Sequence, residues 1–170
     1  MNEAAATLVV CDAGPLIHLD QLDCLDLLTD FARVVVPDAV WLEVEHHRPS
    51  ALKQELVAFV RLKPKEEASP ALISMYRLLS LHAGEVQALQ IAQEMDADLL
   101  LTDDTAARLA ARNLRVAVHG TLGILLRAIR RGQRTPEEIL NVLRALPVRS
   151  TLHIKRNLLD QVIRQVEEST

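Results

Sequence analysis

Apolar residues along this chain fall into two rhythms. Short runs of consecutive β-branched or leucine residues alternate with longer stretches in which apolar positions recur every three or four residues. The first rhythm predicts buried strands and the second amphipathic helices. Four runs predict strands: Thr7-Leu8-Val9-Val10-Cys11, Arg33-Val34-Val35-Val36, Leu99-Leu100-Leu101-Thr102 and Arg115-Val116-Ala117-Val118. Leu16, Leu19, Leu22, Leu25, Leu27 and Leu28 predict one or two short helices over 15–30. Pro37 stops the second strand, and Asp38 is placed to cap a helix over 39–47. Leu52, Leu56, Phe59 and Val60 recur at three and four and predict a helix over 51–62. A polar loop between Pro64 and Pro70 follows. Further helices are predicted over 70–81, from Ala83 onward, over 105–112 and over 122–131. Two more are expected over 136–145, where Pro136 suits a first turn, and over 151–167. Strands alternating with helices define an α/β fold with a largely parallel sheet of four to five strands flanked by helices.

At 170 residues the chain is expected to be one domain with a full core. Its 49% hydrophobic and 25% charged residues are in the ordinary range for a globular protein. There is no apolar run of about 18 residues, which excludes a membrane-spanning helix. No basic segment leads into an apolar stretch, so a cytoplasmic location is expected. Cys11 and Cys24 read as reduced core residues. Net charge is -4, but it is unevenly spread. Residues 1–104 carry 7 basic and 18 acidic side chains, and residues 105–170 carry 12 basic and 5 acidic. An acidic half beside a basic half suggests a cation-binding region next to a polyanion-binding surface.

The candidate chemistry lies in carboxylates at element ends. Asp12 and the pair Asp103/Asp104 follow strands, Glu43 lies one helical turn past another strand, and Glu85 opens a helix. A carboxylate at the end of a buried strand is costly unless a proton, a cation or hydrogen bonds compensate it. In open α/β sheets ligands gather at this end of the strands. Each acid alone also has a plain structural explanation as a helix cap, a dipole partner or a solvated side chain. A metal site built from His46, His47 and His82 with acids is disfavoured. His46 and His47 are adjacent on one helix and point about 100° apart, and no helix carries a His-x-x-x-His pair.

Taken in order, these residues resemble the PIN-domain nucleases. The likeness rests on Asp12-Ala13-Gly14-Pro15-Leu16-Ile17, Pro37-Asp38-Ala39-Val40 leading to Glu43, Gly84-Glu85 with Ala88 and Leu89, and Leu101-Thr102-Asp103-Asp104. Gly120-Thr121-Leu122-Gly123 is similar to a little-characterised subgroup of that family. The resemblance implies a PIN-like three-layer fold over residues 1–132, with 133–170 as a C-terminal helical extension packed on the same domain. It further implies a metal-dependent endoribonuclease, akin to the VapC-like toxins of toxin–antitoxin pairs, with Asp12, Glu43, Glu85, Asp103 and Asp104 as catalytic and metal-binding candidates. Many relatives carry Thr-x-Asp after the last of these strands, which maps to Asp104. Here Asp103 precedes it, and which of the two faces the metal is left open. Glu85 stands where many relatives have Asp, so its oxygens reach further out.

Carboxylates suit Mg²⁺ or Mn²⁺, hard cations that activate water and stabilise charge on a phosphodiester. Arg127, Arg130, Arg131 and Arg134, with Arg108 and Arg112, recur at three and four and are expected, with Thr102, to meet RNA phosphates. Aromatic residues make up only 2% of the chain, so base stacking is expected to be minor. Val57, Val60, Leu78, Leu79 and Leu81 offer apolar surface for a homodimer, with an antitoxin protein as a further partner. The alternatives are a non-catalytic PIN-fold module that binds RNA or protein, and a nuclease acting on DNA.

Overall fold

The apolar runs pair with one another rather than with solvent, and all of them run the same way. The structure is a computed structural model that describes residues 7–169. Its strands are β1 (Leu8–Cys11), β2 (Arg33–Pro37), β3 (Phe59–Leu62), β4 (Leu99–Leu101) and β5 (Val118–His119). They form one parallel sheet in the order β3-β2-β1-β4-β5. The chain builds outward from β1 through β2 to β3, then crosses to the other side for β4 and β5. The carboxyl ends of β1 and β4 therefore flank a switch point, where parallel sheets open a crevice.

The helices are α1 (Ala13–Gln21), α2 (Asp38–His47), α3 (Pro70–Leu79), α4 (Ala83–Glu94), α5 (Thr105–Asn113), α6 (Thr121–Arg130), α7 (Pro136–Arg149) and α8 (Arg156–Glu168). Short 3₁₀ turns occupy Leu25–Asp30 and Pro49–Leu52. Strand side chains alternate between two cores. Val9, Cys11, Val34, Val36, Leu99 and Leu101 pack with Leu16, Val40, Leu125, Ile139, Leu143 and Leu159. Val10, Val35 and Leu100 face the other way, onto Leu72, Leu89, Ile91, Ala107 and Ala110. Helices cover both faces of the sheet, which is why its strands are apolar on both sides. The three-layer α/β architecture expected from the sequence is the one observed.

Three expectations are corrected. The helix over 51–62 does not form: after the 3₁₀ turn, the chain becomes β3 and pairs in register with β2, Val34 to Phe59 through Pro37 to Leu62. A period of three to four is ambiguous in so short a segment, and pairing with an open sheet edge outweighs it. Leu56, counted toward that helix, is 71% exposed. The final helix starts at Arg156 rather than 151, and residues 151–155 before it form no regular element. Of the apolar residues assigned to a dimer surface, Val57 and Leu81 are buried within their own chain, while Leu78 is 82% exposed.

The charge asymmetry is answered in part inside the molecule. Arg127 and Arg131 both donate to Asp30, Arg134 donates to Asp26, and Arg149 pairs with Asp23. Basic side chains of α6, α7 and the loop between them thus tie down the acidic segment after α1.

Candidate active site

β1 ends by delivering a carboxylate to the crevice. The backbone N–H of Asp12 donates to Leu101 O at 2.9 Å, which continues the ladder one residue past the strand. The side chain is only 6% exposed. Thr102, fully buried after β4, donates its hydroxyl to Asp12 Oδ2 at 2.9 Å. Burial pushes the Asp12 carboxyl up to about 6, the nearby Glu85 and Glu43 carboxylates push the same way, and the Ala13 N–H and Thr102 hydroxyl only partly offset them.

α2 and α4 bring the next two acids. Their close packing depends on Gly84: a Cβ there would stand 3.1 Å from Val40 Cγ2, 3.4 Å from Glu43 Oε2 and 3.8 Å from Asp12 Oδ1. Asp12 and Glu43 therefore converge on the space that Gly84 leaves open. Glu85, in the first turn of α4, accepts the His82 backbone N–H at 2.7 Å through Oε2. Among the described residues, Glu43 makes no hydrogen bond or ion pair, so its carboxylate is available to a ligand.

The two acids after β4 point to different neighbours. Asp104 caps α5, with Oδ1 accepting from Ala107 N at 2.8 Å, and its side chain opens to the cleft. Asp103 turns to α6 and α1. Its Oδ1 accepts Thr121 N at 2.7 Å, and its Oδ2 accepts the Thr121 hydroxyl at 2.6 Å and lies 2.8 Å from His18 Nδ1. Burial opposes ionisation of Asp103, but the bonds from His18 and Thr121 prevail and hold its carboxyl below the usual range. Gly120 makes this possible, because a Cβ there would lie 2.6 Å from Asp103 Oδ1.

One cleft of about 480 Å³ is lined by Asp12, Glu43, Glu85, Asp103 and Asp104, together with His18, His82, Leu152 and His153. The histidines were not legible as a group. His18 had a signal, since it follows Gly14 by one helical turn and so shares its face of α1. His153 arrives on the irregular segment before α8, which no local pattern announces.

A family model described as a PIN domain matches residues 8–168. The chain belongs to the PIN-domain family. No curated protein matches it. Membership in the PIN family supports a nuclease, and PIN domains generally use divalent metal ions.

The donors of this PIN domain fit such an ion in kind. They are carboxylate oxygens, and Asp12 Oδ1 and Glu43 Oε2 share one space. Among the described residues no three His, Cys, Asp or Glu side chains already stand close enough to enclose a metal. Glu43 and Asp104 are exposed at the cleft.

Of the residues expected at the substrate, Thr102 is occupied by Asp12, and Arg127 and Arg131 by Asp30. Arg108 donates to Thr102 O at 3.2 Å beside Gly120, close to the cleft. Arg112 and Arg130 form no ion pair among the described residues. Burial of His119 and the charges of Arg130, Arg108 and Arg127 hold its imidazole below the usual range, a mark of concentrated positive potential on this edge.

Proposed function

We propose that this PIN domain is a divalent-metal-dependent endoribonuclease, with Mg²⁺ or Mn²⁺ as the ion. The observation that carries the proposal is Asp12, buried and raised in pKa, sharing a cleft with Glu43, Glu85 and Asp104. A buried carboxylate with no cationic side chain against it is compensated best by a cation. Asp12, Glu43, Glu85 and Asp104 would hold the metal, and Thr102 fixes the Asp12 rotamer. When bound, the metal lowers the pKa of a water and neutralises charge on the scissile phosphate. Around it, Arg108, Arg112 and Arg130 attract the phosphate backbone. A toxin-like role held in check by an antitoxin protein, a cytoplasmic location and a homodimer that covers Ile73, Tyr76 and Leu78 of α3 complete the proposal; all three side chains are exposed. Residues 133–170 act as a helical extension of the nuclease domain.

The test is cleavage of a labelled single-stranded RNA by purified protein in Mn²⁺, in Mg²⁺ and in EDTA. Cleavage in the metals, absent in EDTA and in Asp12→Asn, is expected. Protein that stays inactive on varied RNA with either ion would overturn the proposal. Cleavage of DNA alone would redirect it to a deoxyribonuclease.

A further inference from the structure

His18 is held in one orientation from behind and open in front. Nδ1 faces Asp103 Oδ2 at 2.8 Å, and Asp103 is itself fixed by two bonds from Thr121. An ionised carboxylate only accepts, so Nδ1 must carry the hydrogen and donate. That leaves Nε2 as the ring atom offered forward. Among the described residues Nε2 has no hydrogen-bond partner, yet no side-chain nitrogen or oxygen of a described residue is both buried and unsatisfied. Nε2 therefore reaches solvent, and the space it reaches is the cleft that His18 lines with Asp12, Glu43 and Asp104. The side chain as a whole is 14% exposed, so the ring is gripped and only its tip is offered.

We propose that His18 is a substrate-contacting residue of this site, its Nε2 accepting a hydrogen bond from a ribose 2′-hydroxyl of the bound RNA, and that Asp103 and Thr121 are positioning residues that aim it. The inference rests on the nuclease proposal above and deepens it. It gives the two adjacent acids different roles. Asp104 belongs with Asp12, Glu43 and Glu85, whereas Asp103 has both oxygens engaged in orienting an imidazole. A carboxylate that fixes ring tautomer and rotamer makes the opposite nitrogen a reliable contact. Helix α1 serves this purpose because His18 stands four residues after Gly14, on the same face. The ring lies over Gly14, where a Cβ would sit in ordinary contact with it, 3.6 Å from His18 Cε1.

Two substitutions separate a substrate contact from a packing role. His18→Asn reproduces the donor at Nδ1, keeps Asp103 satisfied and removes Nε2. His18→Gln places an amide near Nε2 and gives up Nδ1. Each variant and wild type would be assayed for cleavage of a fluorescein-labelled single-stranded RNA in Mn²⁺, for binding of that RNA in EDTA by anisotropy, and for thermal stability with and without Mn²⁺. The expected result is that His18→Asn keeps the melting temperature and the Mn²⁺-induced shift but loses up to roughly tenfold in RNA affinity or kcat/KM, the worth of one neutral hydrogen bond. His18→Gln should retain more activity than His18→Asn despite lower stability. If His18→Asn binds and cleaves like wild type while His18→Gln does not, the ring is a structural partner of Asp103 and the inference falls. If wild type itself neither cleaves nor binds the RNA, the nuclease proposal falls first. Thr121→Val, read against Thr121→Ser, extends the test: Ser should restore kcat/KM by restoring the hydroxyl bond to Asp103.

Discussion

Asp12 is the residue on which the site's energetics turn. Its carboxyl is raised from 3.8 to about 6 in the folded protein, so the folded form binds a proton more readily than the unfolded form between those values. That contribution is fully present below about 4 and lost as pH rises through 6, leaving a penalty of about 3 kcal/mol at neutral pH. Asp12→Asn should therefore melt higher than wild type in EDTA at pH 7. The difference should shrink on titration from pH 6 toward pH 4, which a thermal-shift series at several pH values would read. The same variant should lose most of the Mn²⁺-induced stabilisation, which for an intact site is about 2.7 kcal/mol at a hundredfold excess of ion over its dissociation constant. Asp104 behaves differently because it caps α5. Asp104→Ala should cost about 1 kcal/mol in EDTA, whereas Asp104→Asn, an equally good cap, should keep the metal-free stability. Both should forfeit the Mn²⁺ shift if the carboxylate is a ligand.

Helices set the distances among these residues, and two contacts show how. α4 lies against α2 over Gly84, where a methyl group would meet Val40 Cγ2 at 3.1 Å. Gly84→Ala gains about 1 kcal/mol of helix propensity but must push Val40 aside at a cost of about 1–3 kcal/mol, so a small net loss of stability is expected, together with reduced RNA cleavage because Glu43 and Asp12 face the same methyl. Circular dichroism melts and the cleavage assay together check both effects. Elsewhere, Arg127 of α6 and Arg131 just after it fasten that helix to the acidic segment through Asp30. Replacing both arginines by Ala should lower stability by about 1 kcal/mol, given their partial exposure, and leave the RNA KM near wild type. Arg108→Ala and Arg130→Ala should do the reverse, raising KM and flattening the salt dependence of binding. Arginines at similar spacing thus divide into fold and surface according to whether an aspartate lies opposite.

At the scale of the whole molecule, the C-terminal helices are part of the core. Ile139, Leu143 and Leu146 of α7 and Leu159, Val162 and Val166 of α8 belong to the same buried cluster as the sheet residues Val9 and Val34. A chain ending at residue 132 would expose that face of α6 and the sheet beneath it. It should show no cooperative thermal transition by circular dichroism; a sharp transition near the full-length midpoint would mean that the two helices are an appendage. The segment joining these helices delivers Leu152 and His153 to the cleft, so a truncation affects the site as well as the core.

Strands β1, β2 and β4, most of the helices and the order of the acidic residues were legible from the sequence alone. These rest on local periodicity and on residue types confined to element ends, both of which survive without knowledge of neighbours. The acids at strand ends had to lie at one edge of a parallel sheet, because every strand in such a sheet points the same way. Tertiary structure decided the rest. It made 59–62 a strand, since only the free edge of β2 distinguishes that segment from a weak helix. It parted Asp103 from Asp104, adjacent in sequence, by placing Thr121 and His18 opposite one of them and a helix N-terminus after the other. It also placed Asp30 across from Arg127 and Arg131, 97 and 101 residues away along the chain. A side chain's type and spacing are local properties, but the partner that satisfies it is set by how distant elements pack.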